Sequence, residues 1–223
     1  MKKITVLYGN YGSGKTELAL NIALQLRRMH TDVSLIDFDI VNPYFRSSEH
    51  KDMLERQGIR VIAPVYANTM VDLPAIPPDV FSAFKGGYAV FDCGGDPVGA
   101  AALGGLKQHF DGMREKTEAL YVINTKRPFQ DSAARILQSL ELIQNNARLL
   151  ADGFIFNANL GKETTGEELG EGYKIIKSLV QLTGVPLSYV SGTKESLNVF
   201  KRYCPEYNGC MIEINIFMRP EWM

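Results

Sequence analysis

The chain has 223 residues, 45% of them hydrophobic and 22% charged, and its 24 Lys and Arg against 25 Asp and Glu give a formal net charge of -1. This composition excludes a disordered, collagen-like or disulfide-stabilised chain. The balanced charge argues against a dedicated nucleic-acid-binding protein, which needs a surplus of Lys and Arg. The three cysteines lack CxxC spacing, and the sequence shows neither a signal-peptide pattern nor an apolar run long enough to span a membrane. We therefore expect a cytoplasmic protein with one domain over residues 1–223.

Apolar runs of strand length alternate with helical patterns along the chain. The runs are almost wholly apolar, which is typical of strands buried on both faces. They are Ile4–Tyr8, Val33–Ile36, Arg60–Ile62, Tyr88–Phe91, Ala119–Ile123, Phe154–Phe156 and Leu187–Val190. Helices are predicted at Lys15–Met29, His50–Arg56, Val98–Phe110, Ser132–Asn145 and Glu168–Leu182. The alternation predicts an α/β fold, a doubly wound and mostly parallel sheet with helices on both faces.

Two segments depart from this alternation. Residues 64–79 hold four of the ten prolines and are predicted to form an irregular excursion. Met211–Phe217 alternates apolar and polar residues, with Ile212, Ile214 and Ile216 on one side. This pattern favours a C-terminal edge strand, with a small added hairpin as the alternative.

A glycine-rich segment follows the first predicted strand and fits the pattern G-x-x-x-x-G-K-[ST]. Its glycines let consecutive backbone N–H groups point at phosphate oxygens, and the helix that follows adds its positive end. Lys15 is expected to reach the β- and γ-phosphates, and the Thr16 hydroxyl to ligate Mg²⁺. The residues predicted to contact nucleotide here are Gly9, Asn10, Tyr11, Gly12, Ser13, Gly14, Lys15, Thr16 and Glu17.

Acidic residues follow two other predicted strands. Asp37 and Asp39 come after the second strand, and Asp92 and Gly95 come after the fourth. Because the carboxyl ends of parallel strands meet at one edge of a sheet, these residues are expected to face the phosphate loop. The carboxylates suit Mg²⁺ and its waters, Asp39 also suits orientation of an attacking water, and Gly95 offers an N–H to the terminal phosphate. Capping of the turn before Pro43 is the alternative for Asp37 or Asp39.

The three motifs together resemble those of the MinD/ParA group of P-loop ATPases. The broader class includes nitrogenase iron protein, the CobQ/CobB enzymes, metal-insertion ATPases and dethiobiotin synthetase. The likeness extends over roughly residues 2–200. It implies an ATPase that forms a homodimer with nucleotide between the subunits. It also implies Mg²⁺ binding by Thr16, water activation by Asp39, and contact of Asp92 and Gly95 with the γ-phosphate.

One position departs from that group. Its characteristic loop carries a second lysine directly after the first glycine, where this sequence has Asn10. In the group, that lysine reaches the phosphates bound to the partner subunit. Its absence puts activation by a partner subunit in doubt and leaves nucleotide binding intact. Lys126 and Arg46 are the cations that would replace it.

The base is predicted to be adenine. GTPases of this class usually recognise guanine with an N/T-K-x-D element, and Asn124-Thr125-Lys126 lacks the aspartate at the required place. The sixth strand ends instead at Asn157, whose side-chain amide can donate one hydrogen bond to the adenine edge and accept one from it. A turn residue is the alternative for Asn157. The segment 191–193, beginning with Ser191, is predicted to form a loop over the base.

The sequence therefore predicts an ATP- and Mg²⁺-binding ATPase that acts as a slow nucleotide-dependent switch with an unknown protein partner. One alternative is a synthetase or kinase of the same fold that passes the γ-phosphoryl group to a small carboxylic acid, with Tyr44-Phe45-Arg46 near its second substrate. A second is a nucleotide-bound interaction module without hydrolysis. Cys204 and Cys210 are interpreted as buried or incidental thiols, with a shared metal as the alternative.

Overall fold

A computed structural model describes residues 1–39, 50–63, 76, 78–157 and 165–217, without the side chain of Val98. Eight strands in this part of the chain form one sheet in the order β3-β2-β4-β1-β5-β6-β7-β8, and every neighbouring pair is parallel. The strands are β1 (Ile4–Tyr8), β2 (Val33–Phe38), β3 (Arg60–Ile62), β4 (Tyr88–Cys93), β5 (Thr117–Ile123), β6 (Gly153–Asn157), β7 (Leu187–Gly192) and β8 (Cys210–Glu213).

Helices cover both faces of this sheet. They are α1 (Lys15–Met29), α2 (Lys51–Arg56), α3 (Pro97–Gly104), α4 (Lys107–Gly112), α5 (Ala133–Ala147), α6 (Gly166–Thr183) and α7 (Lys194–Tyr203). The described chain also has short 3₁₀ segments at Pro78–Phe84 and Arg114–Lys116. One core joins α1 and α2 to the sheet, and a larger core on the opposite face joins it to the Pro78–Phe84 segment and α3–α7. Right-handed crossovers place these helices on opposite faces. The connections from β1 through β2 to β3 cross one face of the sheet, and those that lead back to β4 and on towards β8 cross the other. The α/β class and the doubly wound parallel sheet are confirmed.

Two helical predictions need correction. The helix predicted over Val98–Phe110 is two helices, α3 and α4, because Gly104 and Gly105 interrupt it and glycine has low helix propensity. The loop predicted at 191–193 does not form, since β7 continues through Ser191 to Gly192 and Thr193 caps α7 by accepting from the Ser196 amide. The α7 helix was missed, although Thr193 and the apolar pair Leu197 and Phe200 are its sequence signal.

The C-terminal prediction is confirmed for the edge strand, since β8 pairs with β7 in parallel, and residues 210–217 form no hairpin. Beyond Glu213 the chain leaves the sheet and lies along α1. We call residues 214–217 the C-terminal strap. Ile212 and Ile214 are buried in the α1 core, and Asn21 of α1 donates to the Asn215 carbonyl and accepts from the Asn215 amide.

Other predicted features lie outside the described residues. They include most of the 64–79 excursion and the whole Tyr44-Phe45-Arg46 segment. Among the helices that the structure describes, none is long and apolar enough to cross a membrane.

Candidate functional site

The site lies where the winding of the sheet reverses. β1 runs between β4 and β5, and the loops after these strands meet at their carboxyl ends. In doubly wound sheets ligands bind at such a point because the neighbouring loops diverge to opposite faces and leave a crevice. The predicted phosphate loop, the Asp92–Gly95 segment and the loop after β5 all border this crevice.

The phosphate loop joins β1 to α1 through a left-handed residue. Gly14 precedes the helix with φ 89°, and no side chain caps the first turn. The first amides of a helix lack intrahelical acceptors, so those of Lys15, Thr16 and Glu17 add to the positive end of α1. Lys15 Nζ donates to the Asn10 carbonyl oxygen at 3.0 Å and is only 7% exposed. The loop therefore holds a buried cation beside a row of backbone donors, an arrangement that suits phosphate.

The predicted acidic residues gather beside this lysine. Asp37 and Asp92 stand opposite each other in the parallel ladder between β2 and β4, and both are buried. The Asp39 amide donates to Asp37 Oδ1 at 3.2 Å, which turns the chain immediately after β2. Asp39 is also buried, and its charge acts on Lys15. Three carboxylates and one lysine thus share a site from which water is largely excluded.

The pKa of Asp92 is strongly perturbed. Burial, and secondarily the charge of Asp37, raises its pKa to about 8, while Lys15 and the nearby Thr16 hydroxyl act in the opposite direction. Both carboxylate oxygens are buried, and neither has a hydrogen bond of regular geometry to the described part of the chain. Burial also lowers the pKa of Lys15, against the attraction of Asp92 and Asp39. Buried polar groups without partners are rare in folded proteins, so Asp92 marks a place for a ligand or a proton.

Gly95 brings the loop after β4 against the phosphate loop. A side chain at this position would place its Cβ 2.7 Å from the Tyr11 amide nitrogen and 2.8 Å from Lys15 Nζ. Only glycine permits this approach without displacing the phosphate loop. The two loops are therefore in close contact, and phosphate bound at this point would contact both.

Three residues predicted to contact nucleotide, Asn157, Ser191 and Glu17, form hydrogen bonds within the protein. The Asn157 amide nitrogen donates to the Ser13 carbonyl at 2.8 Å, and its oxygen accepts from the Ser191 hydroxyl at 3.1 Å. Asn157 is 4% exposed and Ser191 is fully buried. The Asn157 side chain therefore stabilises the phosphate loop, and its amide edge is occupied by partners within the protein. Glu17 likewise accepts from the Phe217 amide of the C-terminal strap.

The loop after β5 contributes a residue that sequence reasoning missed. Arg127 Nε donates to the Gly12 carbonyl oxygen at 2.9 Å, which places a guanidinium against the phosphate loop. Lys126, one of the two cations proposed to replace the lysine absent at Asn10, instead forms an ion pair with Glu168 of α6 at 2.9 Å. Lys126 was named from the sequence and its neighbour Arg127 was not, because spacing alone does not say which cation faces the loop.

Mg²⁺ fits the chemistry of these donors. The unpartnered Asp92 oxygens, the neighbouring Thr16 hydroxyl and the Asp37 carboxylate are hard oxygen ligands. Asp37, Asp39 and, once deprotonated, Asp92 would also repel a polyphosphate unless a cation accompanied it. Within the described residues, no group of three or more His, Cys, Asp or Glu side chains could hold a metal alone. A bound ion would therefore need phosphate and water as further ligands, as Mg²⁺ at nucleotide sites usually does.

Comparison with known proteins gives structural relatives only. No family model and no curated protein matches the sequence. FtsY from Mycoplasma mycoides superposes with a TM-score of 0.55 and 17% identity over 85% of this chain and 59% of its own. FtsY from Thermotoga maritima gives 0.56 and 16% over 88% and 63%. The signal recognition particle receptor FtsY from Elizabethkingia anophelis, in complex with GDP, gives 0.52 and 14% over 86% and 57%.

These likenesses establish the fold. The chain has the α/β fold of P-loop NTPases, and it spans about three fifths of the length of the FtsY structures that it matches. Identities of 14–17% support no statement about their substrates or partners in this chain.

Proposed function

We propose that this protein is an ATP- and Mg²⁺-dependent P-loop ATPase that acts as a slow nucleotide switch. The observation that carries the proposal is the buried site at the phosphate loop, where the charge of Asp92 acts on Lys15 and the Asp92 carboxylate has no regular hydrogen bonds. A protein seldom retains an unsatisfied carboxylate in its core unless a ligand completes it. A magnesium-bound triphosphate supplies the cation for Asp92 and the phosphate for Lys15.

The residues of the site divide the work between binding and reaction. The loop amides and Lys15 bind the phosphates, for which Lys15 exchanges its bond to the Asn10 carbonyl. Thr16, with Asp37 and Asp92, would hold Mg²⁺ directly or through water, and the ion when bound neutralises phosphate charge. Asp39 orients the attacking water, and Gly95 donates its amide to the γ-phosphate.

Adenine is the base that we propose, with guanine as the competing possibility. The E. anophelis structure is a complex with GDP. In this sequence, however, neither Thr125-Lys126-Arg127-Pro128 after β5 nor Asn157-Ala158-Asn159-Leu160 at the end of β6 provides the aspartate of N/T-K-x-D. Without that carboxylate, the two N–H donors of the guanine edge lose their usual acceptor.

We also propose membership of the MinD/ParA-like class and nucleotide-dependent homodimerisation. Two exposed aromatic side chains favour the binding of a partner subunit at the site. Tyr11 on the phosphate loop is 62% exposed, and Phe129 in the loop after β5 is 68% exposed. Phe129 has φ 63°, a strained conformation for a bulky residue and one that clusters at functional sites. Asn10 carries no charge across such an interface, so the rate of hydrolysis per subunit is expected to rise little with protein concentration.

A synthetase or kinase is the second candidate, and one feature favours it. A cleft of about 430 Å³ opens between the loop after β5 and α6, with Lys126, Arg127 and Asp131 on one side and Glu168 and Glu171 on the other. Arg127 lines this cleft and also contacts the phosphate loop, so the cleft adjoins the proposed nucleotide site. Phosphate release that requires a small carboxylic acid would support this candidate.

Calorimetric titration with ATP in the presence and absence of Mg²⁺ tests the proposal. Lys15→Ala removes a buried charge-assisted donor, and we expect ATP affinity to fall about 100-fold or more. The control is Lys177→Ala, which removes an exposed lysine paired with Glu206 and is expected to bind ATP as the wild type does. Unchanged affinity in a folded Lys15→Ala protein would reject the phosphate-loop assignment.

Competition between nucleotides tests the base. ATP should displace a fluorescent adenine nucleotide at least about tenfold better than GTP, a preference of roughly 1.4 kcal/mol. Equal displacement by GTP would reject adenine specificity. Tight binding without turnover would indicate the interaction module instead of an ATPase.

A further inference from the structure

Arg127 rests directly on the phosphate loop. Its Nε donates to the Gly12 carbonyl oxygen at 2.9 Å. A Cβ at position 12 would lie 3.3 Å from Arg127 Nε and 3.6 Å from Cζ, so the guanidinium packs over the bare face of the glycine. Gly12 has φ 71°, a conformation that disfavours a side chain for a second reason. The loop therefore provides both an acceptor and a surface for this cation.

The loop that carries Arg127 is itself fixed. The Arg127 amide donates to the Asn124 carbonyl at 3.0 Å and its carbonyl accepts from the Gln130 amide at 3.1 Å, so two successive turns meet at this residue. The buried Gln130 side chain accepts from the Asn124 amide and closes the loop from inside. A cation on so constrained a backbone loses little conformational freedom when it meets an anion.

The outer part of the guanidinium is unused. Arginine has five N–H donors, and only that on Nε has a partner among the residues the structure describes. The neighbouring cations differ, because Lys126 is paired with Glu168 and Arg135 with Asp131. Arg127 is thus a cation at the phosphate loop with two terminal nitrogens left to donate, in the fork geometry that matches phosphate oxygens.

We infer that Arg127 donates to the terminal phosphates of the bound nucleotide and supplies the positive charge that Asn10 does not. This inference rests on the proposed function. In the reaction, water oxygen bonds to the γ-phosphorus as the bond from phosphorus to the bridging oxygen breaks. ADP leaves with that electron pair, and the proton of water passes through Asp39 to solvent. The guanidinium neutralises charge on the transferring group, a contribution that differs from binding alone.

Three variants separate this role from mere support of the loop. Arg127→Gln keeps an N–H donor for the Gly12 carbonyl but removes the charge. Arg127→Ala removes both and leaves space that added guanidinium at millimolar concentration can fill. The control is Arg135→Gln, an exposed arginine of α5 whose partner Asp131 is also exposed. ATP hydrolysis, the dissociation constants of ATP and ADP, and the melting temperature are measured for each.

We expect kcat for Arg127→Gln to fall about 100-fold, with the ATP dissociation constant changed by less than about tenfold. Guanidinium should restore part of the rate to Arg127→Ala, and Arg135→Gln should match the wild type. A wild-type rate in Arg127→Gln, with ATP binding still lost in Lys15→Ala, would overturn this inference and leave the proposed function standing.

Two other outcomes are also decisive. If the wild type binds ATP without hydrolysing it, loss of its preference for ATP over ADP in Arg127→Gln would support the contact, and an unchanged preference would overturn it. Failure of the wild type to bind either nucleotide would overturn both the proposed function and the role of Arg127.

Discussion

Buried polar groups on the flank of α1 and at its N-terminus differ in how completely the protein satisfies them. On the flank, Asn21 donates to the Asn215 carbonyl at 2.8 Å and accepts from the Asn215 amide at 2.7 Å, so its side chain is paired at both ends. Gln25, one turn further, donates to the Glu213 carbonyl. At the N-terminus, both Asp92 oxygens are buried without regular hydrogen bonds, and Lys15 has exchanged water for one loop carbonyl.

This difference separates structure from function within one helix. A polar group whose partners come from the chain is satisfied when the protein folds, and its role is to fix the fold. A polar group left without partners costs stability, which folded proteins tolerate mainly where a ligand binds. The strap side of α1 therefore stabilises the fold, and the loop side is the proposed nucleotide site.

The largest expected effect comes from Asp92 in the nucleotide-free protein. Its pKa is about 8 when folded and about 3.9 in an unfolded chain. Between these values the folded state holds a proton that the unfolded state has lost, so the free energy of unfolding falls as pH rises, by up to about 1.4 kcal/mol per pH unit. Asp92→Asn removes this dependence. Urea unfolding should show that the free energy of unfolding of Asp92→Asn, relative to that of the wild type, rises by up to about 4 kcal/mol between pH 5 and pH 8.

Asp152 provides the matched control. Burial raises its pKa, but hydrogen bonds from Arg114 and the Ala119 amide lower it further, so the net pKa lies below its ordinary value. Its stabilising contribution is therefore complete above the unfolded pKa and constant between pH 5 and 8. Asp152→Asn should destabilise equally at both pH values. The same pH-independent shift in Asp92→Asn would show that Asp92 is ionised in the folded protein.

Asp39 should separate reaction from binding. Asp39→Asn keeps the size and hydrogen-bonding capacity of the side chain but orients an attacking water poorly. We expect hydrolysis to slow about 100-fold while ATP affinity stays within about threefold. Phosphate release and calorimetry measure the two quantities. If Asp39→Asn still hydrolyses ATP and Asp92→Asn does not, the roles of the two carboxylates are reversed.

Asn21 tests the flank of α1, where the polar side chains have hydrogen-bond partners within the protein. Asn21→Ala leaves the Asn215 amide and carbonyl without their partner, and we expect a loss of about 2 kcal/mol in the free energy of unfolding. Nucleotide affinity should not change. Asn146→Ala is the control, because its exposed amide makes a single bond to the Leu142 carbonyl within α5. Loss of ATP binding in Asn21→Ala would show that the strap and the site are coupled.

The smallest effect is expected at Asn157. Like that of Asn21, its side chain is hydrogen-bonded at both ends within the protein, but one of its partners is the Ser13 carbonyl of the phosphate loop. Asn157→Ala removes the donor to the Ser13 carbonyl, so we expect ATP and GTP affinities to fall together, by about tenfold. Displacement titrations with both nucleotides measure this. A selective loss of ATP affinity would instead restore the base-recognising role that the sequence suggested for Asn157.

The amino-acid sequence alone predicted the eight strands and the position of the phosphate loop, but it missed α7 and the break between α3 and α4. Continuous apolar runs such as Ile4–Tyr8 can be buried on both faces only in a covered parallel sheet, and the pattern ending in Lys15 and Thr16 depends on neighbouring residues of one loop. Asp37 and Asp92 were placed together because the carboxyl ends of parallel strands share an edge. Each of these inferences follows from local pattern plus the topology that the pattern permits.

Which polar groups find hydrogen-bond partners within the protein depends on the tertiary structure. Arg127 and Gly12 are 115 residues apart, and Asn21 and Asn215 are 194 apart. Such pairings depend on how loops turn after their strands and on the path of the C-terminal strap, which no periodicity records. The amide of Asn157 has the same chemistry whether it faces a base or a loop carbonyl. Its partner is set by the distance between β6 and the phosphate loop, a property of the packed sheet.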